Sequence, residues 1–143
     1  MNIIIGSDHA GYDLKEVCKA HLLQSGGHQV KDAGVFSRDS SDYPRIAKEV
    51  AGAISRGEHD RGVLICGTGI GMSITANRFK RVRAAVCQDV YSAKMTRLHN
   101  DANILAMGGR IVGPGLAVEI LEVFLKTEFE GGRHKKRLDL IDG

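Results

Sequence analysis

Short apolar runs alternate along the chain with stretches in which apolar residues recur every three or four positions. Ile3-Ile4-Ile5 is a run of the first kind, ending at Gly6-Ser7-Asp8-His9. Leu14, Val17, Cys18 and Leu22 then fall at helical spacing, and Gly26-Gly27 stops that helix. Residues 28–36 hold a second strand around Val30, followed by a polar, Ser- and Asp-rich loop from Ser37 to Tyr43. Pro44 suits the first turn of a helix, with Asp42 or Tyr43 just before it. Ile46, Val50 and Ile54 mark its inner face, and Gly57 ends it. Gly62-Val63-Leu64-Ile65-Cys66 shows no alternation, which predicts a strand covered on both faces. It flows into Gly67-Thr68-Gly69-Ile70-Gly71 and a helix from about Met72. Arg83–Cys87 and Asn103–Met107 read as further strands, the first followed by a helix that Asp89 caps, the second ending in Gly108-Gly109. Leu116, Ile120, Val123 and Phe124 mark a last amphipathic helix, and Gly131 to Gly143 reads as a polar tail.

Five strand–helix units predict an α/β fold, a three-layer, doubly wound sandwich around a five-stranded parallel sheet. No repeat or linker divides the chain, so residues 1–143 read as a single domain. Composition narrows the function classes. The 143 residues are 43% apolar and 26% charged, a globular rather than a disordered mix. Twenty Lys and Arg face seventeen Asp and Glu, and no basic stripe carries interleaved aromatics, which argues against nucleic acid. No apolar window approaches a membrane span and the start lacks a signal-peptide pattern, so a cytoplasmic protein is expected. Three cysteines with no CxxC spacing fit a reducing compartment better than a disulfide framework or a zinc site.

In open α/β sheets, ligands bind outside the carboxyl ends of the strands. Asp8 and His9 follow the first strand; Cys66 and the glycine loop follow the third. Gln88 and Asp89 follow the fourth, and Gly108, Gly109 and Arg110 the fifth. Glycines at alternate positions let backbone N–H groups turn inward ahead of a helix start, a cradle for an oxyanion or phosphate; a plain tight turn is the competing reading. The loop is neither a Walker A loop, since GK[ST] is missing, nor GxGxxG in register. Cys66 is a buried small hydrophobe or, beside that loop, a reactive thiol. Cys18 belongs to the core; Cys87 ends a strand but no anion loop follows it. His21, His28 and His59 read as solvated, and His9 as facing the cleft. His99 is a polar helix terminus or a functional group, and His134 lies in the basic tail. No HExxH and no His/Cys cluster at ligand spacing points to a metal. Arg133 to Arg137 is a solvated face or a phosphate fork.

Gly6-Ser7-Asp8-His9-Ala10-Gly11, Asp42-Tyr43-Pro44, Cys66-Gly67-Thr68-Gly69-Ile70-Gly71, His99-Asn100 and Gly131-Gly132-Arg133-His134 together change the picture. The chain resembles, end to end, the type B ribose-5-phosphate isomerases, whose broader family includes galactose-6-phosphate isomerase subunits. That resemblance implies a Rossmann-like subunit in a homodimer, or a tetramer built from it, with active sites shared between protomers. The tail from about 131 to 143 would reach the partner. It implies isomerisation of a phosphorylated pentose, ribose 5-phosphate to ribulose 5-phosphate in the pentose phosphate pathway, without metal or organic cofactor. Carried over residue by residue, Cys66 would move the proton between C2 and C1, and His99 would open the furanose ring. The Thr68 hydroxyl and the backbone of Gly67, Gly69, Ile70 and Gly71 would hold the enediolate. Asp8, His9 and Tyr43 would line the substrate pocket, with Asn100 in support. Arg110, Arg133 and Arg137 would contact the phosphate. Some relatives carry a glutamate base early in the loop helix; Met72 stands there, which leaves Cys66. The His99-Asn100 pair and the Arg133-His134 tail favour the pentose. The alternatives are an isomerase of a six-carbon sugar phosphate (allose or galactose 6-phosphate) and a non-catalytic nucleotide-binding module.

Overall fold

Each apolar run of the sequence forms a strand, and all five strands pair in parallel. The computed structural model describes residues 1–143. In chain order the elements are β1 (Asn2–Ser7), α1 (Tyr12–Ser25), β2 (Gln29–Asp32), α2 (Tyr43–Ser55), β3 (Arg61–Cys66) and α3 (Ile70–Ala76). They continue with β4 (Ala84–Val86), α4 (Val90–Asn100), β5 (Ile104–Gly108), α5 (Pro114–Lys126) and α6 (Arg133–Asp142). The strand order is β2-β1-β3-β5-β4. Successive strand residues point to opposite faces, so each buried strand feeds two cores. Ile3, Ile5, Val63, Ile65, Leu105 and Met107 pack with residues of α1, α4 and α5 on one side. Ile4, Leu64, Cys66 and Ile104 pack with residues of α2 and α3 on the other. This is the expected three-layer sandwich, and it explains the missing alternation in 62–66. No helix is long and apolar enough to cross a membrane.

Connections leave β1 in opposite directions, to β2 on one side and toward β3 on the other. The crevice between the carboxyl ends of β1 and β3 is therefore the topological switch point, where ligands bind in such sheets. Asp8 follows β1 and Cys66 ends β3, so the order of the strands brings these two residues together.

Three expectations need correction. The second strand covers only 29–32, because the chain beyond it bends to carry the Ala33–Val35 carbonyls and amides to the end of β1, with Ser7 N–H donating to the Gly34 carbonyl at 2.7 Å. The loop helix starts at Ile70, two residues earlier than expected, since Gly69 takes a left-handed φ of 80° and turns the chain at once into α3. The tail is not irregular. Residues 133–142 form α6, so α5 is not the last helix. Only His134 and Leu138 of α6 are buried, four residues apart on one face, too sparse an apolar stripe for periodicity to reveal.

One buried cation holds the edge of the sheet. Lys15 of α1 is fully buried and donates to both carboxylate oxygens of Asp32 at 2.8 and 2.9 Å. Lys19 donates to the same carboxylate at 2.8 Å.

Candidate active site

The end of β3 is shaped by bonds to its neighbour β5. The Gly109 amide donates to the Cys66 carbonyl at 2.7 Å, and the Arg110 amide to the Gly67 carbonyl at 3.1 Å. Bracketed in this way, the loop folds back, and the Gly69 N–H donates to Cys66 Sγ at 3.1 Å. A Cβ on Gly69 would lie 2.9 Å from the Met107 carbonyl carbon, at a φ that side chains rarely adopt, so only glycine fits. The Thr68 hydroxyl accepts from the Ile70 amide at 3.2 Å. No hydrogen bond within the chain engages the amides of Gly67, Thr68 and Gly71. Those amides, rather than the dipole of the short α3, make the loop an acceptor of negative charge.

Cys66, Gly67, Thr68, Ile70 and Gly71 line a cleft of about 490 Å³. Asp8, Tyr43 and Arg110 complete it, with Ile74 at its edge. Asp8 is 6% exposed; its Oδ1 accepts from the Gly11 amide at 3.0 Å, and its own N–H donates to the Ile65 carbonyl at 3.2 Å. The Tyr43 ring lies against Gly71, where a Cβ would come within 2.6 Å of it. Arg110 extends over Gly67 and makes no ion pair. His9, expected to face the cleft, is not among the residues that line it and is held by Ser41 instead. Its Nδ1 accepts from the Ser41 amide at 3.2 Å, so the neutral ring carries its proton on Nε2.

The rival thiols are inert. Burial pushes the Cys18 thiol up to about 12. Burial, with the Asp89 carboxylate adding to it, pushes Cys87 up to about 12. Cys66 alone of the three opens to the cleft.

The remaining expected residues form a second group, and the chain does not bring it to the first. α4 starts at the carboxyl edge of the sheet, where Asp89 accepts from the Ser92 amide at 2.6 Å. It then runs back antiparallel to the strands for 11 residues, about 16 Å at the helical rise. His99 and Asn100 thus lie at the amino edge, where the Asn100 carbonyl accepts at 2.9 Å from Arg83, just ahead of β4. Asp101 ends α4 in a left-handed conformation, and the buried Arg97 donates to its carboxylate at 2.7 Å, so the terminus is pinned. His99 stacks on His134 with ring centroids 4.3 Å apart and planes 15° from parallel. Arg133 and Arg137 lie one turn apart on the exposed face of α6, and neither forms an ion pair.

His134 reads from the sequence as part of the basic tail. It is 3% exposed, and its Nε2 has no hydrogen-bond partner. His99, Glu130 and His134 place their ligand atoms within 4.8 Å of one another, a grouping that sequence spacing does not reveal. Near-parallel imidazoles aim their lone pairs along separate planes, so the arrangement is a stack and not a chelate. His21, His28 and His59 are not freely solvated either; all three are half-buried, and His21 Nε2 meets Glu122 at 2.6 Å.

Two incomplete constellations thus stand on one chain, a thiol under free amides and a histidine beside arginines. Comparison with known proteins gives the setting. Residues 3–141 match the model of a family described as Ribose/Galactose Isomerase. A protein named ribose-5-phosphate isomerase B from Escherichia coli strain K12 is 48% identical over 139 residues, covering 97% of this chain and 93% of that one. A ribose-5-phosphate isomerase B structure from Clostridium thermocellum superposes with a TM-score of 0.95 at 51% identity, covering 99% of this chain and 95% of that one. A ribose 5-phosphate isomerase structure from Thermotoga maritima gives a TM-score of 0.96 at 49% identity, covering 99% and 97%. With its fold matched and almost the whole of its length covered, the chain belongs to the ribose/galactose isomerase family.

Proposed function

We propose that the chain is a ribose-5-phosphate isomerase that works as a homodimer, each active site joining the cleft of one protomer to the α4–α6 surface of its partner. The observation that carries this reading is the Cys66 sulfur under a Gly69 amide at 3.1 Å, in a cleft with unengaged loop amides and a free Arg110. A hydrogen on carbon next to a carbonyl is weakly acidic, and its removal puts charge on oxygen. The site therefore needs a base and fixed donors aimed at that oxygen; each donor of this kind is worth roughly 10²–10³ in rate.

In the open-chain aldose, the Cys66 thiolate takes the proton from C2. The C–H electron pair forms the C1–C2 double bond, and the carbonyl pair moves onto O1, which the amides of Gly67, Thr68 and Gly71 receive. The thiol then returns the proton to C1. The O2 hydroxyl gives up its proton as C2 becomes the ketone, and O1 gains one, so the product is an isomer. Ribose 5-phosphate rests as a ring, and the partner's His99 opens it by moving a proton between the anomeric hydroxyl and the ring oxygen. The partner's Arg133 and Arg137, one helical turn apart, join Arg110 on the phosphate dianion, a remote anchor that orients the reacting carbons. Asp8, His9, Tyr43 and the partner's Asn100 bound the sugar. Three free thiols suit a reducing cytoplasm, where this reaction serves the pentose phosphate pathway.

The test is turnover of ribose 5-phosphate in deuterated water with chelator present. The proposal expects deuterium at C1 of the ribulose 5-phosphate formed. No turnover of any sugar phosphate, with tight binding of a nucleotide instead, would overturn it in favour of a binding module.

A further inference from the structure

The amide that faces the Cys66 sulfur belongs to a peptide with a second contact, one the reaction scheme leaves unused. The Thr68–Gly69 peptide is a rigid plane whose N–H and carbonyl point in opposite directions. Its N–H donates to Cys66 Sγ at 3.1 Å. Its carbonyl, on Thr68, accepts from Gln88 Nε2 at 2.7 Å. Gln88 Oε1 in turn accepts from the Gly108 amide at 3.1 Å. Gly108 is the register partner of Cys66 on the neighbouring strand. A half-buried carboxamide just beyond β4 therefore spans from β5 to the loop, with both of its ends used.

Nothing in the local backbone fixes that plane so well. Gly69 sits at φ 80°, and a glycine tolerates either sign of φ, so the peptide before it is free to rotate unless its carbonyl is held. Rotation would swing the N–H off the sulfur and present the carbonyl's negative end instead.

We propose that Gln88 is a positioning residue for Cys66: by holding the Thr68 carbonyl it aims the Gly69 N–H at the sulfur and so favours the thiolate. Gln88 touches neither the sulfur nor the cleft. Its effect on turnover rests on the isomerase reading; its effect on the thiol does not.

Gln88→Leu removes both contacts, and Gln88→Glu keeps an acceptor for Gly108 while removing the donor to Thr68. The ionisable groups that share the cleft with the sulfur, Asp8, Tyr43 and Arg110, are unchanged in both, and the neutral Gln88→Leu separates the lost contact from the charge that Gln88→Glu adds. The primary readout is the pH dependence of iodoacetamide alkylation at Cys66, located by peptide mass, with melting curves to show that each variant is folded. A hydrogen bond to a charged group is worth enough to move the midpoint by about one pH unit. In both variants the midpoint should rise by that amount, and kcat should fall about tenfold with KM nearly unchanged. An unshifted alkylation midpoint in either folded variant overturns the role of Gln88, even while wild-type turnover upholds the isomerase. If the wild type isomerises nothing, the alkylation curve still decides.

Discussion

Mixing two dead variants should restore activity. Cys66 ends β3 at the carboxyl edge of the sheet, whereas α4 carries His99 back to the amino edge, about 16 Å along its axis. No side chain bridges such a gap, so one chain cannot use both on one sugar. On the proposed mechanism Cys66→Ala removes the base and His99→Asn removes the ring opener, each loss being worth roughly 10²–10⁴ in rate on the cyclic substrate. In a mixed dimer, one site combines both lesions and the other combines native Cys66 of one protomer with native His99 of the other. Statistical reassortment of equal amounts makes half of the dimers mixed, each with one intact site, so about a quarter of wild-type activity should return. The assay is turnover of cyclic ribose 5-phosphate by co-expressed, differently tagged variants, against each variant alone. A four-carbon aldose 4-phosphate, with no hydroxyl free to close a furanose, is the control and should be turned over by His99→Asn alone. A mixture as inactive as its separate components, with mixed dimers proven by pull-down, refutes the shared site.

Four further outcomes follow from particular contacts. His134→Ala removes the ring on which His99 stacks at 4.3 Å, a contact worth about 0.5–1.5 kcal/mol beyond its burial. Turnover of cyclic substrate should fall more than that of the tetrose phosphate, as steady-state kinetics on both will show. Gly71→Ala puts a methyl carbon 2.6 Å from the Tyr43 ring, which is 39% exposed and free to swing outward. Melting temperature should change little while KM rises. Arg137→Ala removes one fork of the proposed phosphate anchor, and KM should rise about tenfold or more, since hydrogen bonds to charged groups are worth about 1.5–3 kcal/mol. The pH dependence of stability has a named source. Burial alone would push Asp32 up, but hydrogen bonds from Lys15, Lys19 and the Gly34 amide outweigh it and hold the carboxyl below its ordinary range. The folded chain therefore binds its proton less readily than the unfolded one. That stabilisation is present above about pH 4 and drains away as the pH falls through the lower folded value. Urea melts between pH 5 and pH 3 should show the loss, and Lys15→Met should flatten it.

The strands and the thiol loop were legible because their signals are local. An unbroken run such as 62–66 has one easy explanation, burial on both faces, and alternate glycines directly after a strand have few uses besides a cradle. α6 was not legible, since its buried face consists of one leucine and one histidine, and histidine counts as polar in any periodicity. The grouping of the site was only half legible. Asp8 and Arg110 follow strands and Cys66 ends one, so they share an edge. His99 follows a helix that follows a strand, and such a helix returns to the opposite edge; that signal lay in the order of elements and not in any motif. Gln88 was legible as a residue at a strand end but its contact was not, because it bonds a backbone carbonyl that no sequence pattern displays.

The strand order has a consequence for how the protein is made. The thiol loop is complete in the chain once residue 71 has been synthesised, but its brackets come from Gly109 and Arg110, beyond β4 and α4. A polypeptide emerging amino end first therefore carries its thiol in an unshaped turn until β5 inserts between β3 and β4. Such distant pairings form late, because loop closure comes before their reward. The shape of the loop arrives with the fifth strand, and a nascent chain halted short of it would hold every residue of the loop without its geometry.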